Sequence, residues 1–281
     1  MTTAAISRRR VFHLSSIVVL FALAYAPVCA ALAAQWADDP NYAHGFFVLP
    51  MAAWLAWRRR HRYAAVPSSP SAGGIALFVL GAMLYAFGTV AAELFTARIS
   101  LVLVVAGLVA LLEGGARLRV LAFPIAFLLC MIPLPYLVYY QLTFPLQIES
   151  SRLAAGVLGA AGMPVVREGN ILEIEGYTLE VVTACSGLRS IMALGTMAIF
   201  MTELFRVSRV AKVVLAAAAI PVAVAANVAR LAATACIAAL GGATLAESFL
   251  HELSGLVVFL SGIVALFAIG KGLEWVERKR R

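Results

Sequence analysis

The segment VVLAAAAIPVAVAANVARLAATACIAAL, residues 213–240, contains only one charged side chain, Arg230. About 20 apolar residues are needed for an α-helix to cross a hydrocarbon core of roughly 30 Å. The segment is therefore predicted to be a transmembrane helix. Its proline does not oppose this, because neighbouring helices and local hydrogen bonds can satisfy a freed backbone group in a membrane bundle.

Similar apolar segments recur along the chain of 281 residues, of which 63% are hydrophobic and 13% charged. A soluble domain is nearer half apolar and about a quarter charged. Short basic clusters separate the segments, so the net charge of +8 indicates membrane topology rather than nucleic-acid binding. The fold class predicted is a single-domain, all-α polytopic membrane protein with about eight transmembrane helices and no further soluble domain after the eighth. The predicted spans are 13–34, 44–57, 74–92, 97–112, 120–137, 188–204, 213–240 and 252–270.

The distribution of Lys and Arg predicts how these spans are oriented. If the N-terminus is cytoplasmic, alternation through eight spans places 17 of the 22 Lys and Arg residues on the cytoplasmic side, together with the C-terminus. The inverted topology would put the basic clusters outside and is rejected. Five arginines on or near the outer side are not explained by this rule. They are Arg98, Arg152, Arg167, Arg189 and Arg230.

Residues 138–187 form the longest predicted extracytoplasmic segment. Its first part, residues 139–159, mixes apolar and polar side chains, which is typical of an interfacial helix lying on the bilayer. The second part contains runs rich in Ile, Leu and Val, which are separated by Glu-Gly-Asn at 168–170 and Gly-Tyr at 176–177. This pattern predicts a small β-hairpin over residues 164–183.

Alternation along that hairpin predicts which side chains share a face. Glu173 and Glu175 fall on one face, and Leu172 and Ile174 fall on the other. The hairpin leads directly to Cys185.

Cys185 lies where the hairpin meets the sixth span, within Thr-Ala-Cys-Ser-Gly-Leu-Arg-Ser at residues 183–190. Ser186 or Cys185 can cap the helix, so the thiol would face free backbone N–H groups and the positive end of the helix dipole. Such a position lowers the pKa of a cysteine and favours a nucleophilic thiolate. From this pattern alone, a small buried cysteine at a helix start has equal weight. Arg189 is interpreted as an interfacial anchor or a second positive group.

Arg230 is placed by residue count in the outer half of its span. A charge near the centre of a span costs about 2.5 to 3.5 kcal/mol on insertion scales, and less towards the interface. Asn227, three residues earlier, shares its helix face. Snorkelling to the outer surface is one interpretation of Arg230, but a functional arginine facing the bundle is favoured.

His251 stands at the outer mouth of the last span. Taken singly, a histidine at a span boundary is usually structural or solvated. The predicted alternation, however, brings Cys185, Arg230 and His251 to one outer face. A thiol, a permanent cation and a titratable base together can perform acyl transfer.

Six short motifs, in this order, resemble those of the exosortase and archaeosortase family of membrane cysteine transpeptidases. The resemblance extends from about Trp36 to Gly255. Ala43 departs from the Ser that often precedes His-Gly in the family, and His251 points to the bacterial branch, since the archaeal branch carries arginine there. The motifs are Asn-Tyr-Ala-His-Gly-Phe at 41–46, Ile-Pro-Leu-Pro at 132–135, Pro-Val-Val-Arg-Glu-Gly-Asn at 164–170, Ala-Cys-Ser-Gly-Leu-Arg at 184–189, Asn-Val-Ala-Arg at 227–230, and the histidine before Ser254-Gly255.

The resemblance implies a substrate, a location and residue roles. The partners would be secreted proteins with a C-terminal sorting signal: a Pro-Glu-Pro-like motif, a transmembrane helix and a basic tail. Cys185 would form an acyl-thioester, Arg230 would stabilise the oxyanion or thiolate or donate a proton, and His251 would shuttle the proton or stabilise the transition state. Supporting roles are expected for Arg189, Asn227 and Ser186. No cofactor or metal is expected, the membrane would be the bacterial inner membrane, and the acceptor is left open.

Two other functions fit parts of the sequence. A transporter or polysaccharide-export component would use Arg230 to bind an anionic substrate, although the inner halves of the spans carry no second polar cluster. A simple intramembrane protease would share the first half of the transpeptidase chemistry and differ only in its acceptor.

Overall fold

The computed structural model describes residues 3–174, 177–181, 187–241 and 249–280, with the side chains of 3–11, 13, 14, 177, 240, 241 and 249–254 outside that description. It is mostly helical, with one small β-sheet, as the fold class predicted. The elements are α1 (Thr3–Asp38), α2 (Gly45–Arg58), α3 (Arg60–Ala65), α4 (Gly73–Val90), α5 (Leu94–Glu113), α6 (Gly115–Phe127), a 3₁₀ turn (Leu128–Met131), α7 (Tyr136–Ala160), β1 (Val165–Glu168), β2 (Ile171–Ile174), β3 (Tyr177–Glu180), α8 (Leu188–Met201), α9 (Arg209–Gly241) and α10 (Phe249–Lys279).

Within the described residues, five helices are long and apolar enough to cross a membrane. A sixth span is counted if Gly115–Met131 and Tyr136–Ala160 together make one crossing. The membrane prediction is thus confirmed, but the number eight is not. The five helical segments are Ser15–Asp38, Gly73–Val90, Leu94–Glu113, Arg209–Ala239 and Gly255–Lys279.

Two of the predicted spans correspond to short helices, which explains the lower count. The helices α2 and α8 have 14 residues each. At about 1.5 Å per residue they are about 21 Å long, less than the thickness of a hydrocarbon core. The predicted fifth span, 120–137, also differs, because the helix begins at Gly115 and helical structure ends at Met131. Ile132 is extended, as the residue before a proline prefers.

The chain divides into two compact units, Met1–Pro133 and Leu134–Arg281. In the first unit, a ridge of glycines brings α4 against α5. Gly74, Gly81 and Gly88 are seven residues apart and therefore share one helix face. A Cβ atom at Gly88 would lie 2.5 Å from the backbone nitrogen of Ala97. The two backbones approach this closely because small residues leave no side chain between them.

Gly88→Ala is expected to lower the free energy of unfolding by about 1 to 3 kcal/mol, because the added methyl must push two backbones apart. The measurement is the thermal unfolding midpoint of the purified protein in detergent. Gly115→Ala is the control in the same unit, since a Cβ there meets nothing within 4 Å. An equal effect of both substitutions would contradict the close-packing explanation.

Glu93, in the connection between α4 and α5, is the N-cap residue of α5. Its carboxylate accepts hydrogen bonds from the backbone N–H groups of Phe95, at 3.1 Å, and Thr96, at 2.6 Å, and so caps α5. The hydrogen bond from the side chain of Thr96, together with these backbone bonds and the charge of Arg98, holds the pKa of Glu93 below its ordinary value of 4.5. The ionised carboxylate therefore stabilises the folded state.

The contribution of Glu93 depends on pH in a direction that follows from this lowered pKa. It is complete above the unfolded value of about 4.5 and is lost as the pH falls through the lower folded value. Glu93→Gln is expected to cost about 1 kcal/mol at pH 7, which is typical for a helix cap. The difference in unfolding midpoint between the wild type and the variant should shrink below pH 4.5. A difference that stays constant down to pH 3 would refute the capping role.

In the first unit, the side chain of Trp36 joins the end of α1 to the 3₁₀ turn. Its indole Nε1 donates a hydrogen bond of 2.9 Å to the carbonyl oxygen of Met131. The Nε2 atom of His44 lies 3.2 Å from the carbonyl oxygen of Cys130. Gly45 must be a glycine, because a Cβ there would overlap the indole of Trp36. The Asn-Tyr-Ala-His-Gly-Phe motif thereby holds the end of α1 against the 3₁₀ turn.

In the second unit, the predicted hairpin is a three-stranded antiparallel sheet in the order β1-β2-β3. The hairpin prediction was wrong by one strand, because the run from Ile171 to Glu180 folds back on itself, pairing its two ends. Leu172 and Ile174 are buried and Glu173 is exposed, so the predicted alternation is confirmed for these three residues. Glu175 lies outside the described residues.

The buried face of the sheet packs on α7 and α9. The helical state expected for 139–159 is confirmed by α7, while its position relative to a bilayer stays a prediction. Helices α8, α9 and α10 share a second apolar cluster, which includes Leu194, Leu215 and Leu266. The core between the sheet and the helices consists of Ala154, Leu158, Leu172, Ile174, Leu179, Val181, Val228, Leu231, Ala232 and Ala235.

Candidate functional site

Helix α9 positions two polar side chains that the sequence singled out. Arg230 is only 7% exposed and Asn227 only 1%. They lie three residues apart, and Arg230 shares its helix face with Ala219 and Ala223, which belong to the apolar cluster formed with α8 and α10. The burial of Arg230 favours an arginine facing the bundle over one snorkelling to an open surface.

Asn227 connects α9 to α7 by a hydrogen bond. Its Nδ2 donates to the hydroxyl oxygen of Ser150 at 3.3 Å. Both residues are buried, and the two positions are 77 residues apart in the chain. The contact fixes the rotation of α9 about its axis and with it the direction of the face that carries Arg230.

The same asparagine lies against Gly187, the residue at the start of α8. Gly187 has a φ angle of +86°, in the left-handed region that favours glycine. A Cβ atom added to it would lie 3.2 Å from Nδ2 of Asn227. Its carbonyl oxygen accepts the first hydrogen bond of the helix, from the N–H of Ile191 at 2.9 Å. Asn227 therefore constrains the backbone two residues beyond Cys185.

Not every predicted site residue falls within the described structure. Cys185 and Ser186 lie outside the described residues. His251 lies in the first turn of α10, and its side chain is outside the description. Arg189 is the second residue of α8 and is exposed. The structure brings together Asn227, Ser150 and Gly187, while the triad of Cys185, Arg230 and His251 stays a prediction.

The sequence analysis missed the role of the serine pair in α7. Ser150 and Ser151 are 3% and 0% exposed, although they fall in a stretch that was assigned to the membrane surface. Ser151 donates a hydrogen bond of 2.9 Å to the carbonyl oxygen of Gly169, at the turn between β1 and β2. Two adjacent serines beside apolar residues were the only sequence signal for buried hydroxyls here, and no sequence pattern identifies their hydrogen-bond partners.

Metal and disulfide chemistry find no support in the part of the chain that the structure describes. No three His, Cys, Asp or Glu side chains there lie together in a way that could hold a metal ion. The cysteines within it form no disulfide; they are Cys29, Cys130 and Cys236.

The arrangement can stabilise negative charge. A buried guanidinium is a fixed cation whose interaction with an anion is stronger in a low-dielectric interior than in water. Arg230 is one helical turn from Asn227, and Asn227 contacts the chain next to Cys185. Arg230 can therefore stabilise an anion that reaches it.

Comparison with known proteins identifies the family. Residues 36–268 match the sequence model of the family described as Transmembrane exosortase (Exosortase_EpsH). Searches of curated proteins and of solved structures gave no match. The matched range contains Cys185, Asn227, Arg230 and His251, and it covers both compact units. The chain therefore belongs to the transmembrane exosortase family.

Proposed function

We propose that this protein is a membrane cysteine transpeptidase that removes the C-terminal sorting signal of secreted proteins and transfers the product to an acceptor. Family membership supports a membrane sorting transpeptidase in general. The observation that carries the specific proposal is the contact of Asn227 with Gly187, which ties the helix of Arg230 to the chain beside Cys185. The signal would consist of a Pro-Glu-Pro-like motif, a transmembrane helix and a basic tail.

In the first half of the reaction, the thiolate of Cys185 attacks the carbonyl carbon of the scissile peptide bond. His251 takes the thiol proton, and Arg230 stabilises first the thiolate and then the oxyanion. Collapse of the tetrahedral intermediate breaks the C–N bond, and His251 returns the proton to the leaving amine. An acyl-thioester is left on Cys185. We assign Arg230 to charge stabilisation because a guanidinium stays protonated in proteins and gives up a proton reluctantly.

In the second half, an acceptor nucleophile attacks the thioester carbonyl, and His251 accepts the proton that the nucleophile loses. The Cys185 thiolate leaves and the enzyme is regenerated. With an amine or hydroxyl acceptor the reaction is transfer, and with water it is hydrolysis.

We place this chemistry on the extracytoplasmic face of a bacterial inner membrane, with eight spans and both termini in the cytoplasm. The positions of the basic clusters support this orientation. The short helices α2 and α8 would supply the second and sixth spans, and neighbouring helices or local thinning of the bilayer would accommodate their length.

The proposal is tested by co-expressing the protein with a secreted reporter that ends in the sorting signal. We expect the reporter to lose its C-terminal helix and tail, and mass spectrometry of its new C-terminus to reveal the acceptor. A reporter with a scrambled motif is the control and should stay intact. A free carboxylate would mean hydrolysis, an added mass would identify the acceptor, and an unprocessed reporter would refute the proposal.

Gly187→Ala is expected to lower the rate of reporter processing at least about tenfold. Alanine at this position would have to adopt the left-handed backbone conformation, which costs roughly 1 to 2 kcal/mol, and its methyl group would press on Asn227. Gly162→Ala is the matched control, because Gly162 has a φ of +81° and a Cβ there meets nothing within 4 Å. Both variants should lose similar stability in thermal unfolding, but only Gly187→Ala should lose activity. Equal processing by the two variants would contradict a positioning role for this contact.

A further inference from the structure

Val181, the residue that follows β3, is fixed both by its backbone and by its side chain. It stands four positions before Cys185 in the chain. Its N–H donates a hydrogen bond of 2.8 Å to the carbonyl oxygen of Asn170. Its side chain is 0% exposed and belongs to the core under the sheet, in the same cluster as Val228 and Leu231 of α9. The chain therefore enters the segment of Cys185 from a defined point.

The side chain of Asn170 adds a second hydrogen bond to Val181. Its Nδ2 donates to the carbonyl oxygen of Val181 at 3.2 Å. Ile171 pairs with Glu180 in the sheet, so Asn170 and Val181 are opposed one position beyond these strand ends. In an antiparallel ladder, alternate pairs of opposed residues exchange two hydrogen bonds. The side-chain amide of Asn170 thus supplies the second bond of a pair that lies outside the regular strands.

The chemical identity of residue 170 matters for this bond more than for the turn that contains it. Asn170 follows Gly169, whose φ is +61°, in the connection between β1 and β2. Asparagine and aspartate are both favoured in turns. An ionised aspartate, however, has only acceptors and would set an oxygen against the carbonyl oxygen of Val181. The hydrogen bond to Val181 therefore depends on the amide, whereas the turn does not.

The chain is also fixed on the far side of Cys185. Gly187 lies against Asn227, so that a Cβ atom added to it would be 3.2 Å from Nδ2. A chain extends by at most about 3.6 Å per residue. Because Val181 stands four residues before Cys185 and Gly187 two residues after it, the position of the thiol is bounded from both ends. A shift of either fixed point changes the space that Cys185 can reach.

We propose that Asn170 is a positioning residue for Cys185, and that it acts by fixing Val181 at the start of the segment that carries the thiol. The inference rests on the proposed function. Because Val181 packs on α9, its position also sets how this segment approaches the helix of Arg230. Asn170 acts through the chain, and not by contact with the reacting atoms.

Asn170→Asp is the main test, because it keeps the size and the turn preference of asparagine and removes only the donor. We expect it to slow processing of the reporter by about 10- to 100-fold, since misplacing a reacting group by about 1 Å can cost about 10²-fold. Asn170→Ala removes the same donor without adding a charge, and it should also slow processing.

A second measurement separates positioning from a general structural role. The purified protein in detergent is treated with iodoacetamide from about pH 5 to about pH 10, and peptide mass spectrometry gives the alkylation rate of Cys185. The reagent reacts with the thiolate, so the midpoint of this profile reports the pKa of Cys185. In both variants the midpoint should move from the wild-type value towards the ordinary cysteine value of about 8.5. A structural role would lower the thermal unfolding midpoint and leave the alkylation profile of the folded protein unchanged, which would overturn the inference.

Arg167→Gln is the matched control. Arg167 is exposed near the same turn, and its guanidinium donates a hydrogen bond of 2.7 Å to the carbonyl oxygen of Gly169. This variant should keep the wild-type processing rate and the wild-type alkylation profile. A shift as large as that of Asn170→Asp would mean that any change near this turn disturbs Cys185, and it would overturn the inference.

The two measurements fail independently. A shift in Asn170→Asp alone would be an effect of the added carboxylate charge, and a shift in Asn170→Ala alone would be an effect on the turn. Either result would overturn the positioning role. The alkylation profiles need no reporter, so an intact reporter with the wild-type enzyme would refute the proposed function, whereas unshifted profiles would refute only the role of Asn170.

Discussion

Cys185→Ala is expected to abolish removal of the sorting signal, with a loss of at least about 10⁴-fold in processing rate. Replacing the nucleophile of a catalytic group commonly causes a loss of this size, because no acyl-enzyme can form. The measurement is the fraction of reporter that retains its C-terminal helix, followed by immunoblot and mass spectrometry. Equal processing by the wild type and Cys185→Ala would remove the nucleophile from the proposal.

The control for this experiment is a second cysteine in the same unit. Cys236 is a free thiol in α9, half-buried beside the core under the sheet. Cys236→Ala should process the reporter at close to the wild-type rate. A transporter that uses Arg230 to bind an anion predicts a different pattern, in which activity survives Cys185→Ala as well.

Arg230→Lys is expected to lower the processing rate by about 10²- to 10³-fold, the usual loss when one donor to a developing oxyanion is removed. The positive charge is kept, but the planar guanidinium and its several N–H groups are replaced by a single ammonium. The rate is measured with the same reporter, and thermal unfolding in detergent verifies that the variant is folded.

Arg152→Lys is the matched control for Arg230→Lys. Arg152 is exposed in the same unit and pairs with Glu149 at 2.9 Å, so its replacement by another cation should change the rate little. Near-normal turnover by Arg230→Lys would mean that this arginine serves folding or topology rather than chemistry.

The helices were predictable from the sequence because their signal is local. Apolar length alone identified the helices at Gly73–Val90 and Leu94–Glu113, and the prediction erred where length is marginal, as in α2 with its 14 residues. The sheet was predictable in position but not in strand count, since the same residues can form one long strand or two short ones. The antiparallel register that pairs Ile171 with Glu180 shows that two short strands form here.

The candidate site was predictable in its residue types but not in its contacts. Burial of Arg230 followed from its place in an apolar helix. The contacts of Asn227 with Ser150 and Gly187 join positions far apart in the chain, and no local periodicity encodes them. The topology rule left Arg98 unexplained, yet its burial depends on how α5 packs, which the sequence does not reveal.

The glycine ridge of α4 limits how a substrate helix can reach this enzyme. Where Gly74, Gly81 and Gly88 meet α5, the two backbones are in contact over the length of the pair. A third helix about 10 Å wide could enter there only by breaking that contact along four turns at once. The α4–α5 pair therefore behaves as one rigid unit, and in the proposed reaction a substrate helix would have to enter somewhere other than between these two helices.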